Sequence, residues 1–421
     1  MRILWISHLV PYPPKAGVLI RSYNLVRELG VRHDVDLIML NQPRLLGDYY
    51  ETQEQGLAEA KTALQPYVKN IDVLDIPAER SKWSRLRLAM TGLISKHGYT
   101  VNWLRNPEVG KLIQQRTADT NYDVVHFDTI SLDIFRDDLS CDDVTLLLDH
   151  HNIESHMMNR RAEKEPNAFK KFYFKQEYRK LLNYERRIVG EYDGHIVCSE
   201  DDRLRLLEVC ATTDVRVIPN GIRIDGDFPA RNPQPGRLLF IGGLGWYPNE
   251  AAVRDFIENI APILRARNVD FHFDIIGSSA SALISELAKR HDDVTLHGYV
   301  DSIAPFYEQA SAFVCPINDG GGTKLKVLDA MANRTPLVAY ELACEGIEVK
   351  NATHALITKD PESFADAVEE VFKDPEAAQQ MADRGRALVE SDYEYDRIGD
   401  AISDYYELLA SARTSARQNP D

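Results

Sequence analysis

Short apolar, β-branched runs alternate along this chain with longer stretches whose apolar residues recur at helical spacing, the mark of β-α-β units built into parallel sheets. In the first half the runs are RILWIS (2–7), VDLIML (35–40), NIDVLDI (70–76), VVHF (124–127), TLLLD (145–149) and GHIVCS (194–199). In the second half they are LLFIGG (238–243), FHFDIIG (271–277), VTLHGYV (294–300), AFVCPI (312–317) and TPLVAY (335–340). Each predicts a strand, with helices between. The alternation breaks at VIPNGIRIDGDFPARNPQPGR (217–237), whose proline and glycine dipeptides mark a linker. An α/β protein of two similar open domains with a cleft between them is expected: residues 1–215, a linker at 216–236 and a second domain at 237–392.

Composition narrows the class. A chain of 421 residues is long enough for two substantial cores, and no run approaches the roughly 18 apolar residues of a membrane span. MRILWISHLV reads as a first buried strand and not a leader, because Pro11, Pro13 and Pro14 follow where a cleavage site would lie. Five cysteines scattered without metal-ligand or disulfide spacing fit a reducing cytoplasm. The net charge of −16 argues against general nucleic-acid binding, which needs clustered cations. That charge is unevenly spread. Between Arg80 and Arg116 there are eight basic residues and one acid, Glu108, with Trp83, Tyr99 and Trp103 interleaved, and FKKFYFKQEYRK (169–180) is a second such patch. Two readings stand for these stretches: solvated helix faces whose aromatics are core, or a surface that meets an anionic membrane.

The stretch with the most chemistry is INDGGGTKLKVLDAM (317–331). AFVCPI is a strand, the glycines form a turn at its carboxyl end, Thr323 is a suitable N-cap, and a helix is expected to run through Met331 to about Asn333, with Asn333 in the left-handed position after it. Open α/β sheets bind ligands outside their strand carboxyl ends, and a glycine loop opening a helix admits an anion to bare N–H groups. Thr323, Lys326 and Asp329 are spaced by three and share a face, while Leu325, Leu328 and Ala332 turn toward the core. A nucleoside diphosphate fits this set, with Lys326 on phosphate and Asp329 on ribose. A solvated ion pair beside a plain turn also fits. GGGTK lacks the Walker A spacing, and the loop after the first strand, PYPPKAG, lacks the dinucleotide-binding G-x-G-x-x-G.

GGGTKLKVLDAMANRTPLVA resembles the donor-site segment of retaining GT-B glycosyltransferases of the family 4 type. The resemblance runs in order along almost the whole chain: PYPPKAGVLIRSYNLVREL (11–29), DVVHFDTI (123–130), DHHNIES (149–155), VCSEDDRLRL (197–206), VIPNGIRID (217–225), FIGGLGWYPNEAAVRDFIENIAPIL (240–264) and YEYDRIGDAISDYYELL (393–409). It implies a GT-B fold of two Rossmann-like domains, the first completed by a C-terminal helix at about 393–412. The implied activity is transfer of a sugar from a nucleotide-diphosphate sugar to a hydroxyl of a glycan or lipid-linked acceptor, retaining, with no metal and no cofactor beyond that co-substrate. An epimerase, a hydrolase or a non-catalytic nucleotide-sugar binder on the same fold is the alternative.

Residue by residue, the resemblance implies Lys326 as electrophile for the leaving group, with Lys324 in reserve and the backbone of Gly321, Gly322 and Thr323 beside it. Gly243 stands in the first donor-domain loop, where relatives often carry an arginine, and of two glutamates eight positions apart in many members only the second is retained, as Asp329, the first being Gly321. Gly17 and Val18 would bring backbone to the diphosphate and Arg21 would add charge, unless PPKAGV is a tight turn before a surface arginine. Asp128 occupies the place where many relatives carry a histidine and is expected to contact the acceptor or act as base. His126, His151 and Asn152 join it on the acceptor side, with His126 also readable as packed core. Localisation is expected to be cytoplasmic, with peripheral contact on the inner membrane face.

Overall fold

The computed structural model describes residues 1–15, 17–47, 49–141, 143–210, 214–224 and 231–418. The chain divides into two units, Met1–Pro219 with Ile398–Asp421, and Asn220–Arg397. Part of the expected linker, residues 225–230, lies outside the described residues.

The first unit is built on strands β1 (Arg2–Ser7), β2 (Asp34–Asn41), β3 (Asn70–Asp75), β4 (Val124–Phe127), β5 (Thr145–His150), β6 (Gly194–Val197) and β7 (Val215–Val217). All pairings are parallel, in the order β3-β2-β1-β4-β5-β6-β7. Helices cover both faces, so β1 is buried at every position after Arg2 and reads as an unbroken apolar run without alternation. The last helix, Tyr395–Gln418, supplies Tyr405 and Tyr406, both fully buried, to this unit. Tyr406 meets His126 Nδ1 at 2.6 Å, and the Tyr405 hydroxyl accepts from the His195 amide at 3.2 Å.

The second unit repeats the plan with β8 (Arg237–Ile241), β9 (His272–Ile276), β10 (Val294–Gly298), β11 (Ala312–Cys315), β12 (Leu337–Tyr340) and β13 (Leu356–Thr358), all parallel, in the order β10-β9-β8-β11-β12-β13. Here an uninterrupted apolar core includes Phe240, Phe256, Phe273, Phe313, Leu328 and Met331.

Both sheets reverse their strand order once, between β1 and β4 and between β8 and β11. At such a switch the two neighbouring loops leave in opposite directions, which opens a crevice outside the strand carboxyl ends. The loops that begin with His8 and Asp128 therefore meet in the first unit, and those that begin with Gly242 and Pro316 meet in the second. Pattern reading missed β7 and β13, both three-residue strands at sheet edges, and β7 occupies the start of the expected linker. Among the described residues no helix is long and apolar enough to cross a membrane.

Candidate functional site

In the second unit, the crevice is lined by the Gly242–Trp246 loop and the Pro316–Lys324 loop. Each loop leads into a helix, Tyr247–Asp255 and Leu325–Ala332 respectively. Gly320 and Gly322 have φ of 94° and 74°, a left-handed backbone that favours glycine and folds the loop back on itself. A side chain at Gly320 would also come within 2.9 Å of Pro248, whereas Gly322 faces open space. Gly321 and Gly322 are exposed, as is Gly243.

The expected helix start needs correction. Helix Leu325–Ala332 begins two residues after Thr323, and its N-cap position is Lys324, which makes no side-chain cap hydrogen bond. Thr323 therefore does not cap it. The first-turn N–H groups lack the usual side-chain acceptor. At the other end the left-handed residue is Arg334 (φ 55°), while Asn333 stays at φ −82° and caps the Asp329 carbonyl through its side chain. Lys324 is also displaced from its expected role. It is buried, and its ammonium donates to the carbonyls of Gly322 at 2.7 Å and Gly320 at 3.4 Å, so it pins the loop from beneath and does not stand in reserve for a ligand.

Lys326 remains at the crevice. Its ammonium donates to Asn249 Oδ1 and lies 4.6 Å from the Phe240 ring centroid. The Asn249 amide is oriented by its own donation to the Gly243 carbonyl at 2.8 Å. A Cβ at Gly242 would meet Lys326 Nζ at 2.5 Å and Asn249 Nδ2 at 2.7 Å, so a side chain there would displace this pair. An ammonium has three protons, and the one hydrogen-bonding acceptor it finds among the described residues is neutral. Asp329, on the same helix face, makes no ion pair with Lys326 and its carboxylate accepts no hydrogen bond among the described residues. Burial dominates both groups: it pushes Lys326 down to about 8 and Asp329 up to about 6, outweighing their mutual attraction. The solvated-pair alternative does not describe this geometry.

The first unit holds a different arrangement at its own switch point. Asp128, at the end of β4, is fully buried. Its Oδ2 accepts from Ser7 Oγ at 2.9 Å and Ser22 Oγ at 3.0 Å, and its Oδ1 accepts from His151 Nε2 at 2.7 Å. The His8 ring stands 3.4 Å from Oδ2, outside hydrogen-bond geometry but near enough for its charge to act. Burial alone would raise the Asp128 carboxyl, but the charge and hydrogen bond of His151, joined by His8, hold it well below the usual range. Burial likewise lowers His151, yet Asp128 outweighs it and the imidazole is raised.

Two expectations for this unit are overturned, those for Asp128 and Arg21, while His126 takes its packed-core reading. Asp128 has no surface with which to touch an acceptor; it positions His151. His126 is sealed in the core, stacked on Trp5 at 3.6 Å and pushed down to about 4 by burial. Arg21 is buried and bidentate to Asp149 at 3.0 Å, with a further bond to the Ile218 carbonyl at 2.8 Å, so it locks β5 to the chain after β7 and cannot serve a diphosphate. His151 and Asn152 keep part of their surface accessible. Gly17, at the start of helix Gly17–Arg32, is exposed with open space around it, and Val18 is half-buried. His8 was not foreseen; its position at the end of β1, directly beside the switch point, is the signal that would have found it.

The ligand atoms of His8, Asp128 and His151 lie within 4.8 Å of one another, as do those of His126, Asp128 and Asp149. In the first group two hydroxyls and an imidazole already occupy the carboxylate. In the second, Arg21 occupies Asp149.

Residues 235–374 match the family model described as glycosyl transferases group 1, so the stretch holding the Lys326 site is of that type. A glycogen synthase of Mycobacterium tuberculosis is 28% identical over 256 residues, which span 58% of this chain and 60% of that relative. Among solved structures, sucrose-phosphate synthase from Thermosynechococcus elongatus superposes with a TM-score of 0.67 at 17% identity, covering 98% of this chain and 100% of that one. Anabaena HepE in complex with UDP and glucose superposes with a TM-score of 0.62 at 12% identity, covering 97% and 100%. The fold is GT-B, with two Rossmann-like units each built on a parallel sheet.

Proposed function

We propose that the chain transfers a sugar from a nucleotide-diphosphate sugar to a hydroxyl of a glycan or lipid-linked acceptor, with retained anomeric configuration and without a metal. The carrying observation is Lys326: a half-buried ammonium beside exposed glycines and an uncapped helix start, oriented by a neutral amide and without an ion pair among the described residues. The bond that breaks joins the anomeric carbon to a phosphate oxygen, and negative charge grows on the leaving diphosphate. A preorganised cation and backbone N–H groups stabilise that charge most where water is sparse. Asp329, raised to about 6 by burial and so largely ionised at neutral pH, is suited to accept from the ribose hydroxyls. The new bond joins the anomeric carbon to the acceptor oxygen, whose proton departs. We assign the acceptor contact to His151, fixed in its tautomer by Asp128, with a donor phosphate oxygen as the destination of the proton. The likeness to a protein solved with UDP and glucose supports a nucleotide-sugar donor. The absence of any disulfide among the described cysteines supports a reducing, cytoplasmic setting.

Incubation with UDP-, GDP- and ADP-sugars in chelator, with and without extracted glycolipid or oligosaccharide acceptors, tests this reading. Acceptor-dependent release of nucleoside diphosphate, lost in Lys326→Ala, is the expected result. Release that ignores the acceptor would reassign the chain as a hydrolase or epimerase, and a requirement for added divalent ion would remove the metal-free mechanism. The anomeric configuration of the product, read by NMR, decides retention.

A further inference from the structure

The basic, aromatic stretch between residues 80 and 116 resolves into two populations. Trp103 packs against the apolar core of the first unit, and Arg85 and Arg116 are engaged by Glu79 and Asp72. Helix Lys82–Ile94, by contrast, presents Trp83, Met90 and Leu86 to solvent at 79%, 61% and 50% exposure. Three large apolar side chains on one short surface helix call for an explanation, because singly scattered exposed residues are ordinary but a contiguous stripe is not.

The wheel positions give one. At 3.6 residues per turn, with Lys82 as zero, Leu86 falls at about 40°, Met90 at about 80° and Trp83 at about 100°, with Arg87 at about 140°. The apolar stripe is thus bordered by a cation on each side, and neither Lys82 nor Arg87 has an acidic partner among the described residues. Helix Ala168–Ile188 carries a related pattern, with exposed aromatics flanked by cations on one side. With Ala168 as zero, Arg179 lies at about 20°, Phe172 at about 40°, Phe169 at about 100° and Lys175 at about −20°. Phe169 and Phe172 are exposed, and neither Lys175 nor Arg179 has an acidic partner among the described residues. The two helices are tied together, since Lys180 donates to the carbonyls of Gly92 at 2.6 Å and Ser95 at 2.9 Å.

We propose that the Lys82–Ile94 helix, supported by the exposed start of the Ala168–Ile188 helix, docks the first unit reversibly onto an anionic lipid surface. Apolar side chains flanked by cations match the two depths of a bilayer interface: the stripe enters below the headgroups while Lys82 and Arg87 meet their phosphates. Tryptophan is the residue most suited to that depth. A second copy of this chain is a poorer occupant, because a two-fold pairing of this face sets Lys82 and Arg87 against their own counterparts. The chain as a whole carries −16, so an anionic surface would repel it everywhere but at such a face. The inference is independent of the transfer reading, since it concerns a surface that touches neither candidate cluster.

The test is flotation of the full chain with vesicles of phosphatidylcholine alone and of phosphatidylcholine mixed with phosphatidylglycerol. The chain is expected to float with the mixed vesicles only, to be released by high salt, and to show a blue-shifted emission that disappears in Trp83→Phe. Lys82→Glu with Arg87→Glu should weaken binding by roughly tenfold or more. Trp83→Ser with Leu86→Ser and Met90→Ser, all exposed positions, should abolish it while leaving the melting temperature and the nucleoside diphosphate released with a water-soluble acceptor unchanged. Equal flotation with both vesicle types, or a triple variant that binds like the parent, overturns the proposal. So does a concentration-dependent dimer in sedimentation that the triple variant loses, which would make the face a contact between copies.

Discussion

The two switch points bury opposite charges and treat them oppositely. In the first unit Asp128 is surrounded by donors, two hydroxyls and an imidazole with a second imidazole close by, and is held ionised. In the second, Lys326 has a neutral amide and an aromatic face, and burial pulls it toward losing its proton. A charge whose partners are all internal is a structural element. One that is desolvated without a counter-ion costs the fold free energy, and the missing counter-ion is then the best guide to the ligand.

Removing each charge should break the symmetry of the comparison. Lys326→Met is expected to lower kcat/KM by about 10³-fold, because a charge pair at contact distance is worth ~4 kcal/mol at an effective dielectric of 20. The same variant should melt at or above the parent temperature, since an uncompensated ammonium is replaced by a thioether of similar length. Asp128→Ala should do the reverse for stability, at a cost of about 3–5 kcal/mol in urea unfolding, because it strands a buried imidazole and two hydroxyls. A Lys326→Met protein that unfolds easily, or an Asp128→Ala protein as stable as its parent, would remove the contrast.

Asn249→Ala is expected to cost about tenfold in donor affinity by freeing the ammonium to rotate. Calorimetric titration with UDP in the parent and variant checks this.

The pH dependence follows from signs. Lys326 titrates near 8 when folded and near its ordinary value of 10.5 when unfolded, so the folded state disfavours its charge. Its penalty is complete below pH 8 and is relieved as pH rises toward 10.5. A bound phosphate reverses this, so nucleoside diphosphate binding should weaken as pH rises through about 8, and near that pH it should take up a proton, visible as different binding heats in two buffers. For Asp128 the folded carboxyl is depressed, and its contribution is present above the unfolded carboxyl range and lost as pH falls through the folded value. The raised His151 contributes fully below its ordinary 6.5 and loses that as pH rises through its folded value.

The smallest effect sharpens a correction. Thr323→Ala should change stability by under about 0.5 kcal/mol, whereas a true N-cap would cost about 0.5–2 kcal/mol.

The residues show which parts of this were readable in advance. Strands such as β1 and β11 are buried on both faces, so their apolar runs stand out; β7 and β13 carry three residues each at sheet edges and leave no run to see. The lysine face of the Leu325–Ala332 helix was legible because helical spacing determines it. The fates of Arg21 and Asp128 were not, because both depend on partners more than a hundred positions away: Asp149 for one, Ser7 and Ser22 for the other. A sequence shows that a charge exists near a strand end. It does not show whether a distant residue has already answered it.

The terminal helix carries one more implication, for biosynthesis. Tyr406 is the partner of His126, and Tyr405 closes the His195 backbone at β6, so the sheet of the first unit lacks a piece of its interior until residues 405 and 406 have been made, after the whole of the second unit. The segment from Asn220 to Arg397 forms a compact unit of its own, made before that helix is complete. Emergence and completion thus run in opposite order, and a nonsense codon before residue 398 would leave the earliest-made sheet without its closing helix.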